Sequence, residues 1–257
     1  MDIKETKLNI SRITYPSGTA LLEGLFFKPD GEGKFPGVVY LHGHRSNAWS
    51  SSWTGYFLTK AGFAVFLPTQ LGYDFSEGTP DFCGPTTVGG VIDGIKVFLK
   101  QKYVDPERLA VWGISRGAKV AALVATKEPG LFSAAVFQSG GYDMKSEYES
   151  TKISGIRDAF LKETEGSEQV FQERSPLHDI GRLRCPVLIL HGENDERISV
   201  EQAKMLDKRL TSLGKEHRTV IVPKSGHFIT KETMNSVTIP FLGEYLLIKQ
   251  NPRPQNA

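Results

Sequence analysis

The sequence predicts an α/β fold with a mostly parallel sheet of eight strands and helices on both of its faces. Two observations lead to this prediction. Short, nearly continuous apolar runs recur along the 257 residues, as is typical of strands that are buried on both faces of a parallel sheet. Segments with helical spacing of apolar residues separate most of these runs, and such alternation is the pattern of right-handed βαβ units.

The first two apolar runs differ from the rest because only a short turn separates them. Residues 8–13 and 21–27 flank the turn Pro16-Ser17-Gly18, which predicts an antiparallel pair at the start of the sheet. Six further runs predict the remaining strands, and they comprise residues 38–42, 63–67, 109–112, 134–137, 187–190 and 218–222.

Three intervening segments carry the signals of amphipathic or Ala-rich helices. Residues 118–125 are rich in alanine. The second segment places apolar residues on one face at a period of about 3.6, and these are Val88, Val91, Ile92, Ile95, Phe98 and Leu99. The third segment does the same with Ala203, Leu206, Leu210 and Leu213.

One connection is much longer than the others, and it lies between the sixth and seventh predicted strands. Residues 143–175 predict a small helical insert within a single domain that spans residues 1–250, with residues 251–257 as a flexible tail. Long inserts at this position are often functional lids, and the alternative is a pair of surface helices that covers one side of the sheet. The apolar face of the insert is predicted to comprise Ile153, Ile156, Phe160 and Leu161.

Composition argues against several classes of protein. With a net charge of +2, the chain offers no electrostatic case for binding nucleic acid or an anionic membrane. No run is long enough to span a bilayer, and residues 1–6 lack an apolar signal segment, so we expect a cytoplasmic protein in which Cys83 and Cys185 are reduced. No metal-ligand set or cofactor-binding glycine motif is present, so we expect no metal and no cofactor. Whether the chain forms a homo-oligomer stays open.

The motif Gly113-Ile114-Ser115-Arg116-Gly117 lies between a predicted strand and the Ala-rich helix. Strand, G-x-S-x-G and helix together form a nucleophile elbow, a sharp turn that holds the serine hydroxyl at the end of the sheet. There the N-terminus of the helix favours a developing negative charge. The motif alone is weak, because Gly and Ser are common in ordinary turns.

An activated serine needs an imidazole base and a carboxylate that holds the base. Asp195 and His227 each follow a predicted parallel strand, as Ser115 does. Serine, acid and histidine also occur along the chain in the order found in catalytic triads whose serine lies on a nucleophile elbow. Since the carboxyl ends of parallel strands meet at one edge, we expect the three side chains to converge. Alternatives for the acid are Glu193, Glu196 and Asp179, whereas His42 and His191 are interpreted as structural and His217 as exposed.

The oxyanion hole is predicted to use two backbone N–H groups. One belongs to Arg116, directly after the serine, and the other to His44, in the loop after the third strand. Several aromatic residues lie in loops near this edge, where they either line a substrate pocket or pack against the body of the protein, and these are Trp49, Trp53, Tyr73, Phe82 and Tyr142.

Five stretches resemble the catalytic domain of prolyl oligopeptidases, a member of the α/β-hydrolase superfamily, and also single-domain serine esterases related to dienelactone hydrolases. They comprise residues 105–117, 174–177, 185–195, 200–203 and 225–227. The chain departs from both groups: prolyl oligopeptidases carry a β-propeller that is not among these residues, and dienelactone hydrolases use cysteine where this chain has Ser115.

The resemblance implies an α/β-hydrolase fold and a serine nucleophile. We expect a carboxylesterase that cleaves a small-molecule ester through an acyl-enzyme, with Ser115, His227 and Asp195 as its triad. The alternatives are a small peptidase or amidase of the prolyl oligopeptidase type and a non-catalytic ligand receptor on the same fold.

Overall fold

The computed structural model describes residues 9–247, so Leu8 of the first predicted strand and the predicted tail at 251–257 lie outside the described residues. Strand β1 (Asn9–Ser17) pairs antiparallel with β2 (Ala20–Lys28). The predicted turn at Pro16-Ser17-Gly18 was too early, because Ser17 still pairs with Ala20. Gly18, at a φ of 55°, supplies the positive backbone angle that a tight two-residue hairpin requires.

The remaining strands confirm the predicted sheet. They are β3 (Phe35–Leu41), β4 (Ala64–Pro68), β5 (Val104–Ile114), β6 (Ala134–Gln138), β7 (Val187–Gly192) and β8 (His217–Val222). The sheet has eight strands in the order β1-β2-β4-β3-β5-β6-β7-β8. The pair β2 and β4 is antiparallel, and every pair from β4 onward is parallel, which confirms a mostly parallel sheet.

Helices connect the strands and cover both faces of the sheet. They are α1 (Ser52–Lys60), α2 (Pro85–Leu99), α3 (Arg116–Lys127), α4 (Met144–Ser150), α5 (Ser154–Thr164), α6 (Glu168–Glu173), α7 (Pro176–Asp179), α8 (Glu201–Ser212), α9 (Lys231–Thr233) and α10 (Ile239–Leu246). Short 3₁₀ and π turns at Ile180–Arg182 and Met234–Thr238 follow α7 and α9. No helix among residues 9–247 is long and apolar enough to cross a membrane.

Strand β5 illustrates how the core is divided by the sheet. Val111 joins the apolar cluster that contains α2, α3 and α8, whereas Trp112 joins the cluster that contains α1 and α10. Trp112 is fully buried, and its ring meets that of Tyr40 edge-on at 5.2 Å between centroids. Successive side chains of a strand point to opposite faces, so a central strand that is buried on both faces needs an unbroken apolar run.

The helical faces followed the predicted pattern except at one end. The predicted face of α2 is buried or half-buried along its length. In α8, Ala203, Leu206 and Leu210 are buried, but Leu213 is 36% exposed. The helix ends at Ser212 and the chain turns at Gly214, which has a φ of 61°, so Leu213 leaves the helical face before it reaches the core.

Helices α4, α5 and α6 form what we call the cap segment, residues 143–175. Its predicted apolar face was half wrong: Phe160 is fully buried and Ile156 half-buried, but Ile153 and Leu161 are 37% and 43% exposed. Ile153 is the N-cap of α5, and Leu161 is turned about 100° around the helix from Phe160, so neither points toward the sheet. The rings of Tyr148 and Phe171, which also belong to the cap segment, pack around Phe160. Phe82 lies outside the cap, and its ring contacts that of Phe160 at 4.1 Å between centroids, which joins the cap segment to the body of the protein.

Candidate active site

The three predicted triad residues lie at the same edge of the sheet. Ser115 directly follows β5, Asp195 follows β7 and His227 follows β8. Strands β5, β6, β7 and β8 are consecutive and parallel, so their carboxyl ends deliver these residues to neighbouring positions.

Ser115 occupies a strained turn between β5 and α3, with φ 57° and ψ −124°. The turn is tight enough that a Cβ atom on Gly113 would lie 2.1 Å from the carbonyl oxygen of Gly117. A Cβ atom on Gly117 would lie equally close, 2.1 Å, to the carbonyl oxygen of Leu41 at the end of β3. Both positions therefore require glycine, and the serine between them is the N-cap of α3 without using its hydroxyl as a cap.

Asp195 and His227 are hydrogen bonded, with 2.8 Å between Asp195 Oδ2 and His227 Nδ1. The same carboxylate oxygen lies 3.2 Å from His191 Nε2, which also lies 3.0 Å from the carbonyl oxygen of Ile198. Since both neighbours of His191 Nε2 are acceptors, this nitrogen carries the proton and donates to both. The backbone N–H groups of Arg197 and Ile198 donate to Asp195 Oδ1 at 2.9 and 3.1 Å.

These hydrogen bonds keep Asp195 ionised although its side chain is fully buried. Burial alone would raise the pKa of Asp195, but the hydrogen bonds from His191 and His227 outweigh burial and hold its pKa well below the ordinary value. An ionised Asp195 accepts a hydrogen bond from the N–H at His227 Nδ1, which leaves Nε2 of the imidazole with its lone pair. His227 therefore has the tautomer that a general base needs.

The loop that carries His227 is held from two sides. Ser139 Oγ donates to the carbonyl oxygen of His227 at 3.0 Å, and Gly192 lets the backbone of Gly226 approach closely. Within residues 9–247, Ser115 Oγ has no hydrogen-bond partner, so Ser115 and His227 lie at the same edge of the sheet without being hydrogen bonded to each other. Such bonds commonly form only when substrate is bound.

The alternative acids lie elsewhere. Glu193 is exposed and accepts from the backbone N–H of Lys224 at 3.0 Å, and Glu196 and Asp179 are exposed as well. His42 is buried, and its Nε2 accepts from the backbone N–H of Gln70 at 3.0 Å. Burial lowers the pKa of His42 to about 4, so this histidine is neutral and has a structural role.

The loop after β3 lies against Ser115. A Cβ atom on Gly43 would be 3.4 Å from Ser115 Cβ, so the backbone leading to His44 passes directly beside the serine. Nδ1 of His44 lies 2.9 Å from the hydroxyl of Tyr73, and burial lowers the pKa of His44. Arg116 occupies the first position of α3, where a backbone N–H has no acceptor within the helix. The two predicted oxyanion donors thus flank Ser115.

A pocket opens beside Ser115 between the body of the protein and the cap segment. Two buried ion pairs cross from α3 to the cap: Arg116 Nη1 lies 3.2 Å from Glu163 Oε2, and Lys119 Nζ lies 2.5 Å from Glu147 Oε2. The pocket is lined by His44, Phe82, Ser115, Arg116, Lys119, Glu147, Ile156, Ala159 and Ile198. Sequence reasoning missed Lys119, Glu147 and Glu163, although a lysine within the Ala-rich run was a usable signal.

The five aromatic residues near this edge have different positions. Phe82 lines the pocket, and the ring of Tyr73 lies 5.1 Å from the guanidinium carbon of Arg116. Tyr142 is fully buried in the core, whereas Trp49 and Trp53 are 45% and 42% exposed. Only Phe82 is therefore a wall of the pocket.

The model of the prolyl oligopeptidase family, Peptidase_S9, matches residues 49–246. The chain belongs to the prolyl oligopeptidase family. It is 26% identical over 212 residues to an uncharacterized peptidase, YtmA, of Bacillus subtilis strain 168, covering 80% of this chain and 81% of that protein.

Solved structures match the fold over almost the whole chain. A puromycin-hydrolyzing peptidase from Mycobacterium tuberculosis has a TM-score of 0.80 at 24% identity, covering 93% of this chain and 39% of that chain. An acylaminoacyl peptidase from Pyrococcus horikoshii has a TM-score of 0.77 at 22% identity, covering 95% of this chain and 41% of that chain. The predicted α/β-hydrolase fold is thereby confirmed.

Family membership places the chain among serine hydrolases and bears on the predicted activity. It favours the peptidase alternative over the carboxylesterase prediction. The chain spans only about a third of the length of several curated relatives, among them the acylamino-acid-releasing enzyme of Rattus norvegicus at 30%.

The contact between Gly117 and β3 yields a stability prediction. Gly117→Ala forces a methyl group against the backbone of Leu41, which cannot move aside as a flexible side chain would. We expect the free energy of unfolding to fall by at least ~2 kcal/mol, as measured by urea denaturation. Gly89→Ala in α2 is the control, because nothing lies within 4 Å of its added methyl group. This variant should gain up to ~1 kcal/mol through helix propensity, and equal losses in both variants would contradict the argument.

The depressed pKa of Asp195 predicts a specific loss of stability in acid. The stabilisation is fully present above the unfolded-state pKa of about 3.9 and is lost as the pH falls below it toward the folded-state pKa. Between pH 5 and pH 3 the wild-type protein should lose about 1 kcal/mol more unfolding free energy than Asp195→Asn, which cannot titrate there. The exposed Asp158→Asn change on α5 should leave the wild-type slope unaltered. Parallel curves for the wild type and Asp195→Asn would contradict the assignment.

Proposed function

We propose that the protein is a serine peptidase that cleaves amide bonds of small peptide substrates through an acyl-enzyme at Ser115. The observation that carries the proposal is the hydrogen bond of 2.8 Å from His227 to the buried Asp195, at the edge where the strained turn presents Ser115. Membership in the prolyl oligopeptidase family and the elbow motif support the same chemistry.

The first chemical step is attack by Ser115 Oγ on the scissile carbonyl carbon. A serine hydroxyl is a poor nucleophile until a base takes its proton. Nε2 of His227 carries the lone pair that accepts this proton. The transfer makes an imidazolium ion, which the negative charge of Asp195 stabilises across the hydrogen bond at Nδ1. Asp195 stays ionised throughout, in keeping with its depressed pKa.

The attack moves negative charge onto the carbonyl oxygen. The backbone N–H groups of Arg116 and His44 are the proposed donors to this oxyanion, because they flank Ser115 from α3 and from the loop after β3. Backbone donors are fixed before the reaction, so little reorganisation is needed when the charge forms.

Collapse of the tetrahedral intermediate expels the amine, which leaves as a neutral molecule after the His227 imidazolium gives up its proton. A water molecule then attacks the acyl-enzyme, His227 Nε2 takes its proton, and the second tetrahedral intermediate releases the acid. Returning the proton to Ser115 Oγ restores the starting state.

The names of two structural neighbours support an amide as the bond that is cleaved. One is a puromycin-hydrolyzing peptidase and the other an acylaminoacyl peptidase. An ester could react at the same Ser115, and the two activities differ mainly in how strongly the leaving group must be protonated.

We also assign the cap segment a role in substrate choice. Ile156 and Ala159 of α5 line the pocket that contains Ser115, so one wall of the pocket belongs to the cap rather than to the sheet. Changes in this wall should therefore alter which substrates fit.

The nucleophile is tested by Ser115→Ala. This change should lower kcat by a factor on the order of 10⁴ or more and abolish labelling by a fluorophosphonate probe. Unchanged thermal unfolding would show that the variant is folded.

Comparing kcat/KM for a p-nitroanilide and the p-nitrophenyl ester of the same acyl group tells a peptidase from an esterase. Measurable anilide turnover supports the proposal, and turnover of the ester alone contradicts it.

Asp195→Asn provides a test of the acid. It should lower kcat by about 10⁴, because an amide favours the wrong imidazole tautomer. Glu193→Gln is the matched control, since this exposed side chain contacts the backbone N–H of Lys224 instead of the imidazole. A larger loss in Glu193→Gln would move the acid role to that residue.

The cap assignment is tested by two truncations on the same helix. Ile156→Ala enlarges the pocket, and we expect the kcat/KM ratio between short and long acyl substrates to shift by about 10-fold or more, as loss of a large pocket contact does. Leu161 is exposed and lies outside the pocket, so Leu161→Ala should leave that ratio unchanged. Equal ratios in both variants would show that the cap does not select substrate.

A further inference from the structure

The guanidinium of Arg116 has one edge in use and one edge without a partner. Nη1 donates to Glu163 Oε2 at 3.2 Å. On the opposite edge, Nε and Nη2 have no hydrogen-bond partner among residues 9–247, although the side chain is only 3% exposed. Leaving a buried donor unpaired is costly, so two unpaired donors on a side chain that lines the pocket point to a ligand that binds there.

The neighbouring charges differ from this edge because each of them lies in an ion pair. Lys119 Nζ lies 2.5 Å from Glu147 Oε2, although neither atom has a hydrogen-bond partner within the described part of the chain. Glu163 Oε2 also accepts from the backbone N–H of Phe82 at 2.6 Å. The rings of Tyr73 and Phe82 lie within 5.1 Å of the guanidinium carbon and hold it in place. The guanidinium is therefore fixed in position before a ligand binds, and its free edge does not have to move in from solvent.

The geometry of the free edge selects the kind of ligand. Nε and Nη2 present two parallel N–H groups, the arrangement that binds a planar carboxylate through two hydrogen bonds. Both resident carboxylates of the pocket, Glu147 and Glu163, already have a cationic partner, so a single added negative charge faces paired neighbours. A doubly charged phosphate would meet the same two carboxylates with twice the charge.

The position of Arg116 locates that carboxylate relative to the reaction. Its side chain lines the same pocket as Ser115, and its backbone N–H is the proposed oxyanion donor. The remaining walls include the apolar side chains of Phe82, Ile156 and Ile198, which suit methylene groups. We propose that Arg116 is a specificity residue that binds the side-chain carboxylate of an acidic residue flanking the scissile bond, as in a glutamyl peptide. This inference rests on the proposed function, since it places the carboxylate within one residue of the bond that Ser115 attacks.

The experiment compares glutamate with its uncharged isostere, glutamine, on either side of the bond. N-acetyl-glutamyl and N-acetyl-glutaminyl p-nitroanilides test the acyl side, and N-acetyl-alanyl-glutamate amide and its glutamine counterpart test the leaving side. In the wild type, we expect kcat/KM for the glutamate member of one pair to exceed that of the glutamine member by about 10- to 100-fold, the range of a charge-assisted pair of hydrogen bonds. Equal rates for both members of both pairs would overturn the proposal.

Variants then assign the preference to Arg116. Arg116→Lys keeps the charge beside Glu163 but lacks the two-pronged edge, and the double change Arg116→Gln with Glu163→Gln removes the ion pair without leaving a lone buried charge. In both, the glutamate-to-glutamine ratio should fall toward one. Arg157→Gln, an exposed arginine on α5 outside the pocket, should keep the wild-type ratio. Persistence of the preference in both Arg116 variants would overturn the assignment.

Binding to Ser115→Ala separates this inference from the proposed function. Titration calorimetry with the same peptides should give a lower Kd for the glutamate member even though no hydrolysis occurs. If the wild type fails to react with a fluorophosphonate and to hydrolyse any of the four substrates, the proposed function fails while this binding preference still decides the inference. Hydrolysis without a glutamate preference in rate or Kd would leave the peptidase intact and overturn the role of Arg116.

Discussion

The close approach of two backbones at the end of β3 and β5 is the constraint on which the site depends. Leu41 pairs with Gly113, and the carbonyl oxygen of Leu41 would lie 2.1 Å from any Cβ atom on Gly117. Only two glycines let the chain reverse from strand to helix in this space. The reversal forces Ser115 to a φ of 57° and brings Gly43 against it, so one packing requirement positions the proposed nucleophile, the start of α3 and the proposed oxyanion loop together.

Asp195 shows how a buried charge is held without a formal cation. Its two oxygens accept from His191, His227 and the backbone N–H groups of Arg197 and Ile198, and this set outweighs the cost of burial. His191 also donates to the carbonyl oxygen of Ile198, whose side chain lines the pocket. The histidine that the sequence indicated as structural therefore positions both the carboxylate and a wall of the substrate site.

What the sequence could predict was local in origin. Strands that are buried on both faces leave apolar runs, and the elbow leaves two glycines around Ser115, so the eight strands and the positions of Ser115, Asp195 and His227 at their ends followed from short patterns. The inward face of α5 did not, because Ile153 and Leu161 have the same apolar character as Phe160 and only the seating of the cap decides which of them is covered. The pairing of Lys119 with Glu147 joins residues from separate elements, and no local pattern encodes it. The motifs are common to hydrolases of esters and of amides, which explains why they predicted a carboxylesterase whereas family membership favours the peptidase alternative.

Two buried ion pairs join α3 to the cap segment beside Ser115. Buried pairs of this kind contribute little net stability compared with apolar contacts of similar size, because desolvation offsets their attraction. Breaking one is nevertheless costly, since it leaves a lone charge in an apolar environment. Arg116 and Lys119 therefore hold α5 and α4 in position beside Ser115. The cap can move away only if water or another charged group replaces the lost partner of each charge. A carboxylate bound to the free edge of Arg116 would add a contact at this junction without disturbing the pair of Nη1 with Glu163, so the proposed substrate would bind while the contact between α3 and α5 stays in place.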